Sequence, residues 1–146
     1  MIMMIAAVIF DMDGLMLDTE RLSLKAWEYC CGVMGLPFDR SLILKLRGTS
    51  RERVRRTITE YAGPGFDYDK ANEMRSKFIA DSIKRDGVPV KKGLFELLRY
   101  LRRNGYKTAV ATSTIRARAM RHLDEIGVLK YFDALVFGDM VKNSKP

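Results

Sequence analysis

The feature that most constrains this chain is a short apolar run ending on an acidic pair. Ala6 to Phe10 (AAVIF) leads directly into Asp11, Met12, Asp13 and Gly14. An unbroken apolar run of this length reads as a strand buried on both faces, as in a parallel sheet. Two carboxylates two residues apart repel one another unless a cation lies between them or one holds a proton. Gly14 lets the chain turn sharply away and leaves both carboxylates at the edge. A bare Asp-x-Asp is usually a pair of turn or cap aspartates. The strand before it and the glycine after it favour a site.

The rest of the chain alternates in a way that places this strand. Residues 20–34 (ERLSLKAWEYCCGVM) form a helical pattern stopped by Gly35 and Pro37. Asp39 opens a second helix to about Leu46, and Thr49 with Glu52 fits a capping box for a third, Ser50 to Ala62. A fourth runs from Asp69 to Arg85. After Pro89 the pattern changes to an amphipathic helix from Gly93 to Asn104, with Leu94, Leu97, Leu98 and Leu101 on one side. Lys107 to Thr112 reads as a buried strand, Ile115 to Ile126 as a helix and Ala134 to Phe137 as a third strand. Strand, helix, strand, helix, strand implies an α/β fold with a parallel sheet. The first strand must join that sheet, so the core is discontinuous, 1–18 and 88–146, with helices inserted at 19–87.

Composition narrows the partners. The chain has 146 residues, with 26 Lys plus Arg against 18 Asp plus Glu and a net charge of +8. That excess suits a polyanionic partner, a phosphorylated substrate or a solvated surface. The basic stretches 51–56, 99–107 and 116–121 are spread over several helices without interleaved aromatics, so nucleic acid is not expected. No apolar run approaches a membrane span. The segment 1–10 lacks a basic start and a cleavage site, so no signal peptide is read. Cys30 and Cys31 are adjacent, which suits neither an ordinary disulfide nor metal spacing, and a reducing cytoplasm is expected. His122 stands alone and is read as a surface helix residue. Trp27 and Tyr29 are read as core, and the methionines at 1, 3 and 4 as start and packing residues.

In open parallel sheets, sites collect beyond the C-terminal ends of the strands. Three polar groups sit at such ends: Asp11 with Asp13; Thr112, Ser113 and Thr114; and Asp139, Lys142 and Lys145. One carboxylate can attack phosphorus while the other exchanges a proton with the entering or leaving oxygen. A magnesium ion, which prefers hard oxygen ligands, would relieve the repulsion between them. The Thr112 hydroxyl can donate to a phosphoryl oxygen or cap the following helix. Lys145 can neutralise phosphoryl charge or be a surface lysine.

Together these segments resemble the haloacid dehalogenase superfamily, in its phosphatase and β-phosphoglucomutase-like branch. VIFDMDG with LDTE (Val8 to Gly14, Leu17 to Glu20) resembles the first motif, VATST (Val110 to Thr114) the second and KNSKP (Lys142 to Pro146) the third. The resemblance implies a Rossmann-like core with an inserted four-helix cap. It implies a magnesium-dependent phosphohydrolase acting on a small phosphorylated metabolite through an aspartyl-phosphate. Asp11 would be the nucleophile and Asp13 the general acid and base. Magnesium would be held by the Asp11 carboxylate and the Asp13 carbonyl. Thr112, Ser113 and Lys145 would bind the phosphoryl group. LRGTSRE (Leu46 to Glu52) resembles the branch's specificity stretch, which makes Arg47 and Arg51 candidates for substrate contact, since the guanidinium fork suits phosphate.

Two departures shape the expectation. Where the mutase carries a histidine, this chain has Arg21, Leu22 and Ser23, which favours a phosphatase over a phosphosugar mutase. The family also has a fourth, acidic motif on a further strand, and none follows Lys145 here. A sheet without its later strands would expose apolar surface. The expectation is therefore a fragment of a longer enzyme with an incomplete core and little or no activity by itself. A non-catalytic binding subunit is the remaining alternative.

Overall fold

The structure, a computed structural model, describes residues 5–142. Lys145, with its neighbours 143, 144 and 146 and the methionines at 1, 3 and 4, lies outside the described residues. The order of elements is β1 (Ala7–Phe10), α1 (Thr19–Met34), α2 (Arg40–Lys45), α3 (Arg51–Ala62), α4 (Tyr68–Asp86), α5 (Leu94–Arg103), β2 (Lys107–Ala111), α6 (Arg116–Glu125) and β3 (Ala134–Val136). Two compact units emerge: residues 1–19 with 88–146, and residues 20–87.

The first unit holds a three-stranded sheet in the order β1-β2-β3, parallel throughout. Phe10 stands opposite Val110, and Val110 opposite Leu135, so these residues share one face of the pleat. On that face Phe10, Thr108 and Val110 are buried, and Phe10 meets Phe132 edge-on at 5.8 Å. Leu94, Leu98 and Leu101 of α5 and Ala119 and Leu123 of α6 add to the buried surface of this unit. Leu97 does not; it is exposed, although helical spacing groups it with the other three.

The opposite face corrects the expectation of strands buried on both sides. Ile9 pairs across to Ala109, and Ala109 to Ala134, yet Ile9 is 70% exposed and Ala134 is also open. Ile5 at 71% and Val136 at 39% extend the same exposed apolar surface. Among the described residues no element covers it. β1 is also first in the strand order among the described residues, so its apolar run has the composition of an interior strand and the position of an edge strand.

The start of β3 is pinned by a side chain as well as by pairing. Asp133, just before the strand, accepts the Thr108 N–H on Oδ2 at 2.9 Å, and Lys107 Nζ approaches Oδ1 at 3.3 Å. The Thr108 N–H and then Lys107 hold the Asp133 carboxyl below the usual carboxylate range. Strand β2 ends at Ala111 and β3 at Val136, each one residue earlier than the apolar pattern suggests.

The second unit is all helical, α1 to α4. Its core gathers Trp27, Cys30, Leu46, Ile58 and Ala71. Asp39 caps α2 by accepting the Ser41 and Leu42 N–H groups, and Asp67 caps α4 by accepting that of Lys70. The cap of α3 is Ser50, which accepts from Arg53 N, and not Thr49, whose hydroxyl donates back to the Leu46 carbonyl at 2.7 Å. Trp27 is buried, as read from sequence. Tyr29 is instead exposed and lies against Phe78 at 5.0 Å between centroids. Both cysteines are free thiols, and burial pushes both above the ordinary thiol range, with Cys31 adding to the rise at Cys30. No helix among the described residues is long and apolar enough to cross a membrane.

The open sheet face leads to a first prediction. Replacing Ile9 with Thr keeps a β-branched residue at an exposed position, so the unfolding free energy changes by no more than about 0.5 kcal/mol in either direction. Binding of the apolar dye ANS falls. A loss of several kcal/mol in urea unfolding would mean that Ile9 is buried in solution.

Candidate active site

The loop after β1 stands on an apolar floor. Met12, Met16 and Leu17 are fully buried, while Asp11 is exposed and Asp13 half-buried. Burying Met12 turns its two acidic neighbours outward together. The Met12 carbonyl accepts the N–H groups of Met16 and Leu17, both at 3.0 Å, and Gly14 N donates to the Leu17 carbonyl at 2.8 Å. Gly14 has φ +83°, a left-handed conformation that glycine adopts without steric cost. Asp11 accepts its neighbour's N–H, Met12 to Oδ1, at 2.9 Å.

Asp13 is gripped from two sides. Thr19 Oγ1 donates to its Oδ1 at 2.7 Å, and Thr114 Oγ1 donates to its Oδ2 at 2.6 Å. The second bond spans 101 residues of sequence and draws the loops after β1 and β2 to one place. The parallel register explains it: Phe10 stands beside Val110, so the residues that follow each strand emerge side by side. The ends of the helical insertion are stitched at the same level. Asp18 N donates to the Pro89 carbonyl at 2.8 Å, Lys91 N donates to the Met16 carbonyl at 2.9 Å, and Lys91 Nζ pairs with Asp18 at 2.9 Å.

Thr112 is buried at the end of β2, where its N–H donates to the Val136 carbonyl at 3.0 Å. Its hydroxyl accepts the Thr114 N–H at 3.1 Å. A hydroxyl has one hydrogen and two lone pairs, so this turn-forming bond leaves the Thr112 hydrogen as a donor. The capping reading and the donor reading are therefore compatible. Ser113 is exposed on the same loop. Thr19 and Thr114 stand within the motifs, but spacing alone did not reveal that both hold Asp13. Their signal is the register, which sequence gives only once the pairing partner is known.

Arg47 and Arg51 belong to the helical unit. Arg47 Nη1 is 3.3 Å from Glu20 Oε2, an ion pair, and Arg51 is the exposed first residue of α3. Lys142 is exposed. The Asp139 carboxylate is engaged, accepting the Arg116 N–H at 3.0 Å. His122 corrects the expectation of a surface residue: it is half-buried, and its Nδ1 has no hydrogen-bond partner among the described residues. Burial pushes its pKa below 6.5, opposed by the negative charge of Asp13. Its helix turns that side toward the interior, as buried Ala119 and Leu123 show.

Among the described residues no three His, Cys, Asp or Glu side chains cluster as a metal cage. The Asp13 carboxylate is committed to two hydroxyls. The outward Asp11 carboxylate and the Asp13 backbone carbonyl are hard oxygens, the donor type that suits magnesium, which commonly completes its shell with water and substrate phosphate. The residues fit such an ion in kind.

The chain matches the haloacid dehalogenase-like hydrolase family over residues 8–146 and belongs to it. It is 33% identical to a phosphorylated carbohydrates phosphatase of Thermotoga maritima over 96% of this chain and 64% of that protein. It is 28% identical to a β-phosphoglucomutase of Bacillus subtilis, again over 96% and 64%. The structure of CbbY from Rhodobacter sphaeroides in complex with phosphate is similar at a TM-score of 0.69 and 25% identity, covering 98% of this chain and 68% of that one. The chain thus spans about two thirds of the length of the relatives it matches. Its fold is that of the Rossmann-like hydrolases of this family, and its relatives include phosphatases and phosphomutases.

His122 gives the second prediction. Its pKa is lower in the folded chain than the 6.5 of an unperturbed histidine, so the unfolded chain binds the extra proton first as pH falls. Its contribution to stability is present above about pH 6.5 and is lost as pH drops below that value toward the folded pKa. Urea unfolding between pH 7.5 and 5 should show this loss, and His122→Gln should flatten the slope. An unchanged slope in the variant would assign the loss to other groups.

Proposed function

We propose that the protein is a phosphohydrolase acting on a small phosphorylated metabolite through an aspartyl-phosphate. The supporting observation is the Thr114 to Asp13 hydrogen bond, which gathers two strand-end loops at one acidic pair. In this reading Asp11 attacks phosphorus with a carboxylate oxygen, and the bond from phosphorus to the leaving oxygen breaks. Asp13 gives that oxygen its proton. Water then attacks the phosphoryl group, Asp13 takes the proton from the water, and phosphate leaves Asp11 free. The Thr19 and Thr114 hydroxyls keep the Asp13 carboxylate in one orientation for both transfers.

Thr112, Ser113 and Lys145 are the proposed phosphoryl-binding groups. Phosphoryl transfer depends on positioning and charge stabilisation, which hydroxyls and a lysine can supply. The Asp11 carboxylate and the Asp13 carbonyl would hold magnesium, which when bound neutralises charge on the phosphoryl oxygens. Residues 20–87 are the proposed cap, the source of selectivity. Arg47 and Arg51 are its proposed substrate contacts, with Arg47 exchanging Glu20 for the substrate. The working compartment is the cytoplasm.

The test is phosphate release from p-nitrophenyl phosphate by the full-length protein in the presence of magnesium. Asp11→Asn should reduce it to background, and Asp13→Asn should slow it by about 10²- to 10⁴-fold. Undiminished hydrolysis by Asp11→Asn would remove the nucleophile assignment. Conversion of a sugar phosphate to its isomer without phosphate release would instead support the mutase chemistry of the Bacillus relative.

A further inference from the structure

The turn after β3 fastens the loop after β2. Helix α6 opens on Ile115, an apolar residue whose side chain cannot accept a hydrogen bond from the first turn. Its first N–H, that of Arg116, is met by Asp139, 23 residues further along the chain, at 3.0 Å. Gly138 N donates to the Thr114 carbonyl at 3.0 Å. A Cβ at position 138 would lie 2.1 Å from the Ser113 carbonyl oxygen, so only glycine permits this approach. Phe137 is buried, with the Arg116 guanidinium 5.8 Å from its ring centroid. The Thr112 N–H to Val136 carbonyl bond completes the fastening.

We propose that Asp139 is a positioning residue for the loop carrying Thr112 and Ser113. It caps α6 in place of any side chain from the loop itself. With Gly138 it sets where the loop backbone stands. This inference rests on the proposed phosphoryl-binding role of that loop. A carboxylate near an anion site repels the anion, so its value there is as a hydrogen-bond acceptor and not as a charge. Asparagine at this position keeps an acceptor and removes the charge.

The experiment follows amide exchange at Ser113 to Arg116 and the binding of inorganic phosphate with magnesium, read from amide shifts of the same loop. Asp139→Ala should speed exchange at Arg116 at least fivefold and weaken phosphate at least threefold, with the fold retained by circular dichroism. Asp139→Asn should restore both to within twofold of the unsubstituted chain. Gly138→Ala, as a second variant, should shift the Ser113 and Thr114 amides and speed exchange at Arg116, because the clash pushes the turn that carries Asp139 away from the loop; unchanged amides would overturn the close approach. Unchanged Arg116 exchange in Asp139→Ala would overturn the capping contact. Faster exchange with undiminished phosphate binding would overturn the positioning role, as would an asparagine variant as weak as the alanine. No phosphate binding by the unsubstituted chain would overturn the phosphoryl-site reading itself, and the exchange rates would still decide the capping contact.

Discussion

The pairing of β1 with β2 is the constraint from which the candidate site follows. Ala7 stands opposite Lys107 and Phe10 opposite Val110. This register brings the loop with Asp13 beside the loop with Thr114, and the 2.6 Å bond between them is its result. A slip of one residue would turn the side chains of β1 to the opposite face. Phe10 would leave the buried face, and the acidic loop would lose its floor of Met12, Met16 and Leu17. Because parallel strands need a crossover, the chain can depart and return between them without disturbing the register. The helices of residues 20–87 occupy that excursion. The Asp18 to Lys91 pair and the backbone bonds around it close the excursion where it begins and ends.

The fold was legible where local chemistry and burial agree. AVIF, KTAVA and ALV are largely apolar and partly β-branched, and they are strands, with Ala6 left outside the first. Asp39 is an N-cap because its carboxylate can reach two free N–H groups, and its short side chain made that readable in advance. The acidic pair, the hydroxyl loop and their common end of the sheet were legible too, since strand direction fixes which end holds the loops. Residues whose partners are remote in sequence were not. Glu20 holding Arg47, Thr114 reaching Asp13 and Asp139 reaching Arg116 have no mark in local spacing. His122 misled for a similar reason: a polar residue in a polar helix reads as exposed until the neighbours of its inner side are known.

Burial also separates what β1 is made of from where it stands. A hydrophobic strand in a parallel sheet is normally enclosed on both faces. Here one face is packed and the other presents Ile5 and Ile9. The relatives are about half as long again as the stretch they share with this chain. The same strand therefore carries the proposed nucleophile at its end and an open apolar flank along its length. Its exposed apolar face makes association through that face a physical liability of these residues whenever nothing else covers them.

The placement of sulfur in the first unit has a chemical consequence of its own. Met12 and Met16 are fully enclosed under the acidic loop, whereas Met140, in the turn that follows β3, is 55% exposed. Methionine sulfoxide is polar and chiral, and it forms fastest where oxidant can reach the thioether. Peroxide would thus mark Met140 long before the two enclosed sulfurs. Met140 adjoins Asp139, and its N–H closes the turn onto the Phe137 carbonyl at 3.0 Å. Among these three methionines oxidative wear would accordingly begin at the fastening of the hydroxyl loop, while the floor beneath the aspartates stayed intact.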